Sequence, residues 1–322
     1  MQINATITGL KYQILLAAPL KKVDWRDFDI NACPACCVVT ENGTSFALSK
    51  WVSPKRTRSY PYERVYNTLS SGKKITVIPV VKDEGAGGDR DFIQWDTISL
   101  MSLLDVYVIL AYYDSAEKNV KYADKITKQR FNNRYIVDKI REISSYHSSA
   151  LHWNLHELNN GLANLIAEAQ QSYARISKKT AVKMHDDKGL EAFKKTINKN
   201  VADFMDFSRQ KAHNAQKREF RTIQPKEVLE TATKAKITIT NYLGGQYFLT
   251  VDEVALAQNS VYLIEGKHSQ LSLLPSKSDI KDGLLKMILY ANLEDVEVNG
   301  EPKNAVPVLA LTSSNLKSEI NS

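Results

Sequence analysis

Glu265 and Lys267 stand at the end of a short apolar segment, Val261–Ile264, that is rich in β-forming residues. A run of this kind predicts a buried strand rather than part of a helix. Side chains at positions i and i+2 of a strand point to the same face, so we expect the carboxylate and the ammonium group to lie side by side. Acid-x-lysine triplets occur elsewhere in the chain, but only this one follows four apolar residues.

A second acid is expected beside this pair. The apolar run Tyr247–Val251 leads into Asp252 and Glu253, and a turn at 258–259 then leads into the strand of Glu265. Residues 252 and 253 point to opposite faces of their strand, so only one of them can share the face of Glu265. We favour Asp252, because it directly follows the apolar run and its short side chain would keep a metal ion close to the backbone.

Two carboxylates and a lysine at the edge of a sheet are the groups that a Mg²⁺-dependent hydrolase uses. Mg²⁺ commonly binds one or two carboxylates together with substrate phosphate, polarises the phosphodiester and activates a water molecule. A lysine can position that water or stabilise the charge that develops on phosphorus. The alternative interpretation is a surface hairpin in which Glu265 and Lys267 form an ion pair.

An acid on one strand, followed by E-x-K at the end of its neighbour, resembles the PD-(D/E)xK nuclease superfamily, best known from type II restriction endonucleases. The resemblance implies that Asp252 and Glu265 are metal ligands, that the carbonyl of Gly266 is a backbone ligand, and that Lys267 is the catalytic lysine, with Mg²⁺ as the cofactor. It covers roughly the last third of the chain. Val251 stands where the family often has proline.

The composition favours an anionic partner. The chain has 322 residues, 43% of them hydrophobic, and a formal net charge of +7. Such a balance is most often found with nucleic acid or an acidic membrane surface as the partner. The chain has no run of 18 apolar residues, so no transmembrane helix is predicted. The apolar segment Tyr12–Leu20 is too short for a membrane span, and it lacks the preceding basic segment of a signal peptide. We therefore expect a cytoplasmic protein without a membrane partner.

Ser49–Tyr66 is the segment most typical of a nucleic-acid contact, because its basic residues alternate with aromatic ones. Lys and Arg neutralise phosphates, and Arg also reads guanine edges. Pro54 and Pro61 argue against regular structure across its middle. The alternative is a surface turn whose aromatic side chains pack inward. The candidate DNA-binding residues are Lys50, Lys55, Arg56, Arg58 and Arg64.

The cysteines form one cluster, Cys33, Cys36 and Cys37. An odd number in one cluster is not a disulfide framework, and a zinc site would need a second ligand pair at suitable spacing. We expect reduced, mostly buried thiols, as is usual in a cytoplasmic protein.

Three further segments allow a functional and a structural interpretation. The acidic Asp83–Asp91 segment is either a second metal site or, as we favour, a solvated loop. His152 and His156 lie one helical turn apart, but no acid stands between them as in a zincin, which favours surface or interhelix histidines. Arg209–Arg221 is densely basic and faces either phosphates or water.

The pattern of the first two thirds of the chain predicts strands around a helical region. Strands are expected at Ile75–Val81 and Val106–Tyr113, with a short helix between them that Asp96 caps. The order strand, helix, strand predicts that the two strands pair in parallel. Residues 124–176 are expected to be helical, since apolar residues recur at spacings of three and four. A second helix should follow Gly189.

The last third predicts the elements of a nuclease core in order. Pro225 can start a short helix, Lys236–Thr240 alternates as a strand, and Gly244-Gly245 forms a turn. A helix is expected at Asp279–Leu293 and a buried strand at Val306–Leu311. The residues of that helix expected to face inward are Ile280, Leu284, Ile288 and Ala291.

Together these features predict an α/β fold with a mixed central sheet flanked by helices and a restriction-endonuclease-like core. We expect a β-rich N-terminal region at 1–118, a helical region at 119–222 and the nuclease core at 223–322, packed as one body. The predicted function is that of a Mg²⁺-dependent type II restriction endonuclease acting on double-stranded DNA. A homodimer is expected, because two-fold symmetry would match a palindromic site.

Two other functions remain open at this point. One is another nuclease of the same fold, such as a repair or mobile-element enzyme. The other is a DNA-binding protein without catalysis. Metal-dependent cleavage of plasmid DNA distinguishes these possibilities.

Overall fold

The first strand of the chain lies in a sheet with strands from the last third of the chain. The computed structural model describes residues 1–17, 19–41, 43–55, 60–186, 188–199, 204–206, 208 and 235–315. The chain divides into a central unit, Ala18–Phe207, and a terminal unit, which joins Met1–Ala17 to Ser208–Ser322. These boundaries differ from the three predicted regions, because the first strand, β1 (Gln2–Ile7), pairs in parallel with residues 236–241.

The central unit is built on a mixed five-stranded sheet, in which the strands lie in the order β2 (Lys21–Asp24), β3 (Cys36–Glu41), β4 (Thr44–Lys50), β5 (Lys74–Pro79) and β8 (Tyr107–Ala111). Its fourth strand is buried along its whole length, as is typical of a strand covered on both faces. The unit also contains the strands β6 (Val81–Asp83), β7 (Arg90–Phe92), β9 (Tyr113–Lys118) and β10 (Ile126–Phe131).

The predicted parallel pair is confirmed. β5 pairs in parallel with β8, from Ile75 opposite Tyr107 to Pro79 opposite Ala111. Each predicted strand is divided in two, however. After β5 the chain turns into β6, which pairs with β7, and after β8 it turns into β9, which pairs with β10.

Helices surround these strands in the chain order α1 (Tyr60–Thr68), α2 (Trp95–Leu103), α3 (Asn133–Ser144), α4 (Ala150–Asn160), α5 (Leu162–Thr180) and α6 (Lys188–Lys199), with a short 3-10 helix at Trp25–Asp27. The predicted cap of α2 is wrong: its N-cap is Gln94, and Asp96 lies buried in the first turn. The prediction of helix for residues 124–176 is also wrong at its start, where the chain forms strand β10. Asn132 and Ser149 cap α3 and α4 through their side chains, and so divide the region.

The described residues of the terminal unit form two sheets and one long helix. After β1 its elements are β11 (Ala235–Asn241), β12 (Gln246–Val251), β13 (Glu253–Leu256), β14 (Ser260–Ser269), α7 (Lys277–Tyr290), β15 (Glu294–Val298), β16 (Glu301–Pro302) and β17 (Asn304–Ser313). One sheet has the order β12-β11-β1-β15-β16 and the other the order β13-β14-β17. The helix and strand predicted after E-x-K are therefore present as α7 and β17.

Helix α7 packs on β14 and β17. Two predicted inward residues, Ile280 and Ile288, are buried, but Leu284 is half-buried and Ala291 is exposed just beyond the helix end. The fully buried leucines are their neighbours Leu285 and Leu289. The buried face is therefore wider than the predicted stripe.

The fold is of the mixed α/β class, as the sequence predicts. The single central sheet of that prediction is replaced by several mixed sheets in the described residues. No helix of the described residues is long and apolar enough to cross a membrane.

The inner position of β1 gives a testable expectation for stability. Ile3 is fully buried and lies between β11 and β15. Ile3→Ala should lower the free energy of unfolding of the terminal unit by about 3 kcal/mol, because truncating a buried isoleucine leaves a cavity. Faster amide hydrogen exchange in β11 and β15 would show this. Asn4→Ala, on the exposed face of β1, is the matched control and should leave exchange nearly unchanged.

Candidate functional site

Strand β14 extends beyond its antiparallel partner. The β13–β14 pairing ends where Glu253 lies opposite Ile264, whereas the pairing of β14 with β17 continues to Ser269. From Glu265 onward, one edge of β14 therefore has no β13 residue beside it. The carboxylate of Asp252 lies at this edge, where its Oδ2 accepts a hydrogen bond of 2.9 Å from the N–H of Gly266.

The same hydrogen bond indicates where the carbonyl of Gly266 points. The N–H and C=O groups of one residue in a strand face the same edge of that strand. The carbonyl of Gly266 therefore faces the edge at which Asp252 lies. The structure thus brings together Asp252, Glu265, Gly266 and Lys267, the four residues that the sequence singles out.

Glu265 is a buried carboxylate held by two ammonium groups. Its side chain is 2% exposed. Oε1 lies 2.7 Å from Lys286 Nζ and 3.0 Å from Lys267 Nζ, whereas Oε2 is buried and has no hydrogen-bond partner among the described residues. Burial raises the pKa of Glu265, but the charges of Lys286 and Lys267 outweigh it and bring the pKa below its usual value. The side chain is thus held as an anion with one oxygen uncommitted.

Lys267 bridges two acids. Its Nζ lies 2.7 Å from Asp282 Oδ2, in addition to its contact with Glu265. Burial lowers the pKa of Lys267, but the charges of Glu265 and Asp282 raise it above its ordinary value despite the nearby Lys286. The ammonium form of Lys267 is therefore the stable one in this site.

Helix α7 supplies two residues that sequence analysis missed, Asp282 and Lys286. They are four positions apart and therefore share a face of the helix, which was a signal in the sequence. Asp282 is 3% exposed, and its pKa is raised by burial in spite of the two lysines. The charged face of an amphipathic helix is usually expected to face solvent. In α7, however, the face that carries Asp282 and Lys286 is turned towards the sheet.

Asp252 rather than Glu253 lies next to the buried carboxylate. Burial and the charge of Glu265 raise the pKa of Asp252, and Lys286, the N–H of Gly266 and Lys267 lower it less strongly. Glu253 begins β13 and pairs with Ile264. The geometry agrees with the preference for Asp252 as the first acid.

The donor atoms suit a hard divalent cation. The three carboxylates and two ammonium groups of the cluster sum to a charge of −1 when all are ionised. No three His, Cys, Asp or Glu side chains of the described residues are arranged to hold a metal ion. A cation here would take Asp252, the uncommitted Oε2 of Glu265 and the carbonyl of Gly266. Mg²⁺ sites of this kind keep water or phosphate in the remaining positions.

The basic segment of the central unit is more enclosed than the sequence suggests. Lys50 Nζ donates to the carbonyls of Ile30 and Cys33 at 2.5 and 2.6 Å. Arg64 donates to the carbonyl of Lys50, and Lys55 Nζ lies 4.0 Å from a carboxylate oxygen of both Asp89 and Asp91. Arg56 and Arg58 lie outside the described residues.

The aromatic residues of this segment support the alternative of inward packing. Trp51, Tyr62 and Tyr66 are buried, and Tyr60 stacks beneath the guanidinium of Arg64. Pro61 does not prevent regular structure, because it lies in the first turn of α1, where proline is tolerated. Lys50 and Arg64 therefore hold the segment together, which is a different role from the predicted DNA contact.

The acidic loop has a structural role at its first residue. Asp83 is buried, accepts a hydrogen bond from the N–H of Gly85, and lies 2.8 Å from Nδ1 of His185. His152 and His156 have separate partners, Tyr146 and Asn160. The predictions for Arg209–Arg221 and for a helix at Pro225 lie outside the described residues.

All three cysteines are free thiols, and Cys33 and Cys37 are buried. A hydrogen bond from Cys37 lowers the pKa of Cys33 to about 7, and Lys50 contributes in the same direction. The hydrogen bond with Cys33, together with burial, raises the pKa of Cys37 well above its usual range. The expected reduced, mostly buried cluster is therefore what the described residues form.

A double-mutant cycle tests the coupling between helix and strand. Lys286→Met removes one of the two cations on a buried carboxylate and should lower the free energy of unfolding by about 3 kcal/mol. Glu265→Gln in the same chain should recover most of that loss, since the buried charge is then absent. Chemical denaturation of the two single variants and the double variant measures the coupling.

Lys277→Met is the matched control for this cycle, because Lys277 is exposed at the start of the same helix. It should change the free energy of unfolding by less than about 0.5 kcal/mol. Strictly additive effects of the Lys286 and Glu265 substitutions would contradict a direct interaction.

Comparison with known proteins finds no family model that matches the chain, no similar curated protein and no similar solved structure. The geometry of this cluster is therefore what indicates a function: a buried carboxylate held by two ammonium groups, a second acid bonded to the next peptide group, and a fixed lysine.

Proposed function

We propose that the protein is a Mg²⁺-dependent endonuclease that hydrolyses phosphodiester bonds in double-stranded DNA. The single observation that carries the proposal is the state of Glu265: a buried carboxylate with two ammonium groups on Oε1 and none of the described donors on Oε2. Most buried side-chain oxygens in proteins have a hydrogen-bond partner, so an unpartnered oxygen on a carboxylate that is held as an anion marks a place that a cation could fill.

The four residues that the sequence singled out each have a role in this reaction. Asp252, Glu265 and the carbonyl of Gly266 would hold the cation. When bound, a divalent cation supplies Lewis-acid polarisation of the phosphodiester and favours ionisation of the attacking water. Lys267 presents a fixed positive charge next to the scissile phosphate and stabilises the negative charge that develops on it.

The partner and the type of enzyme are inferred from charge and from the resemblance. A net charge of +7 favours a polyanion as the substrate. The resemblance to type II restriction endonucleases favours site-specific cleavage in the cytoplasm by a homodimer. The pattern of plasmid cleavage separates this form of the proposal from a nonspecific nuclease of the same superfamily.

Plasmid digestion is the test. The wild-type protein should cut supercoiled plasmid in Mg²⁺ and leave it intact in EDTA, with discrete bands for a site-specific enzyme and a smear for a nonspecific one. Lys267→Ala should reduce cleavage by at least about a hundredfold, since it removes a preorganised positive charge. It should bind DNA nearly as well as the wild type.

Asp252 and its neighbour provide a matched pair in the same assay. Asp252→Asn removes an anionic oxygen at almost constant volume, and cleavage should fall by orders of magnitude while the melting temperature is kept. Glu253→Gln makes the same chemical change one residue further and should cost little. Intact plasmid with the wild type would leave a DNA-binding protein, and equal cleavage by both variants would remove Asp252 from the site.

The basic segment has its own test. Replacing Lys55, Arg56 and Arg58 with alanine should weaken DNA binding. The slope of log affinity against log salt should become shallower by roughly one unit for each phosphate that the variant no longer neutralises. Arg26→Ala is the control, because this side chain is 87% exposed and lies in another part of the same unit. An unchanged slope in the triple variant would show that the segment does not contact phosphates.

A further inference from the structure

Asp282 contacts Lys267 from helix α7 but has no part in the proposed reaction as described above. Its Oδ2 lies 2.7 Å from Lys267 Nζ, a shorter separation than the 3.0 Å between Lys267 Nζ and Glu265 Oε1. Asp282 is 3% exposed. The lysine is thus held from the helix side by one acid and from its own strand by another.

The contact with Asp282 limits the orientation of the Lys267 ammonium group, because that group has only three N–H donors. A lysine ammonium has three N–H groups in a tetrahedral arrangement. Glu265 and Asp282 take two of them, which fixes the direction of the third. With Glu265 as the only partner, the ammonium group could rotate about that single contact, and its charge would have no fixed place relative to the phosphate.

Gly283 shows how closely the helix approaches this lysine. A Cβ atom at position 283 would lie 3.3 Å from Lys267 Cε and 2.6 Å from Leu309 Cδ1. The backbone of α7 is therefore packed directly against the lysine stem. This close approach restrains the stem, and the carboxylate of the preceding residue restrains the ammonium group.

We propose that Asp282 is a positioning residue, which orients the ammonium group of Lys267 towards the scissile phosphate while making no contact with the metal ion. The proposal rests on the nuclease function argued above. It makes α7 the second half of the active site: the strands supply the metal ligands, and the helix fixes the catalytic charge.

The burial of Asp282 distinguishes this role from a stabilising one. Taking a carboxylate out of water is costly. After Asp282→Asn the ammonium group of Lys267 still has Glu265 as a charged partner at 3.0 Å, so the substitution leaves no buried charge unpaired. A residue kept for catalysis should therefore be replaceable without loss of stability but with loss of rate. A residue kept for the fold should show the reverse.

The experiment is a graded series at position 282 in the full-length protein. Asp282→Asn keeps an oxygen acceptor and the volume, and it should lower the single-turnover cleavage rate roughly tenfold. Asp282→Leu removes the acceptor and should lower the rate by on the order of a hundredfold, as expected when a catalytic group is misplaced by about 1 Å. The melting temperature of Asp282→Asn should equal or exceed that of the wild type.

Two binding measurements complete the test. Mn²⁺ binding followed by electron paramagnetic resonance, without DNA, should be unchanged in Asp282→Asn, since Asp282 is not a ligand. The dissociation constant for DNA, measured in Ca²⁺, should also be unchanged. Asp279→Asn is the matched control, because Asp279 lies on the same helix and bonds only to its N-terminal cap, Ser276, in the described contacts. It should leave the cleavage rate unaltered.

Each result has a defined consequence. An unchanged cleavage rate in Asp282→Asn overturns the proposal, whatever the melting temperature of the variant. Failure of this variant to bind Mn²⁺ also overturns it and makes Asp282 a ligand. If Asp282→Leu does not fold, Asp282→Asn alone decides the question. A wild-type protein that neither binds Mn²⁺ nor cuts DNA refutes the nuclease function itself, which is a separate outcome.

Discussion

The cost of burying the Glu265 carboxylate constrains how α7 packs on β14. An ion removed from water loses several kcal/mol of solvation even after the protein relaxes. Lys286 and Lys267 offset this loss with contacts of 2.7 and 3.0 Å to one oxygen. Lys286 can reach that oxygen only if α7 crosses the sheet at this position. The packing of the helix and the ionisation of the strand residue therefore depend on each other.

The difference in length between two neighbouring strands creates the edge on which the site is built. β13 stops pairing at Glu253, and β14 continues for five further residues along β17. An unpaired edge exposes backbone donors and acceptors that must be satisfied. Asp252 satisfies one donor, the N–H of Gly266. The carbonyl beside it faces the same edge, so a strand that ends early yields an acid and a backbone oxygen together.

The parts of this arrangement that depend on local sequence were predictable. An apolar run followed by E-x-K predicted β14, and Asp252 was expected beside it. Asp252 does bond to Gly266, but it does so from the bend between β12 and β13. The apolar run before it, β12, pairs with β11 instead of with β14. The helix and strand that follow were also predicted, although the buried face of the helix is wider than the predicted stripe. The α/β class followed from the alternation of these elements.

The parts that depend on distant contacts were not predictable from one sequence. β1 lies beside residues more than two hundred positions away, and no local pattern specifies a parallel pairing of that range. Asp282 and Lys286 form a charged pair that would suit a solvent-facing helix surface equally well. In the basic segment, Lys50 alternates with aromatic residues as an exposed strip would, but two backbone carbonyls capture its ammonium group.

In the proposed nuclease, the charge state of Lys267 favours one of two roles that a lysine could take. A lysine that acts as a general base needs a pKa lowered towards neutrality. Burial and the charge of Lys286 lower the pKa of Lys267, whereas the charges of Glu265 and Asp282 raise it. The second effect is the larger, so the pKa lies above its ordinary value. The lysine is therefore a poor proton acceptor and a good fixed cation. Stabilisation of developing charge requires such a group to be held in place before the reaction begins, and two carboxylates on two different elements hold this one.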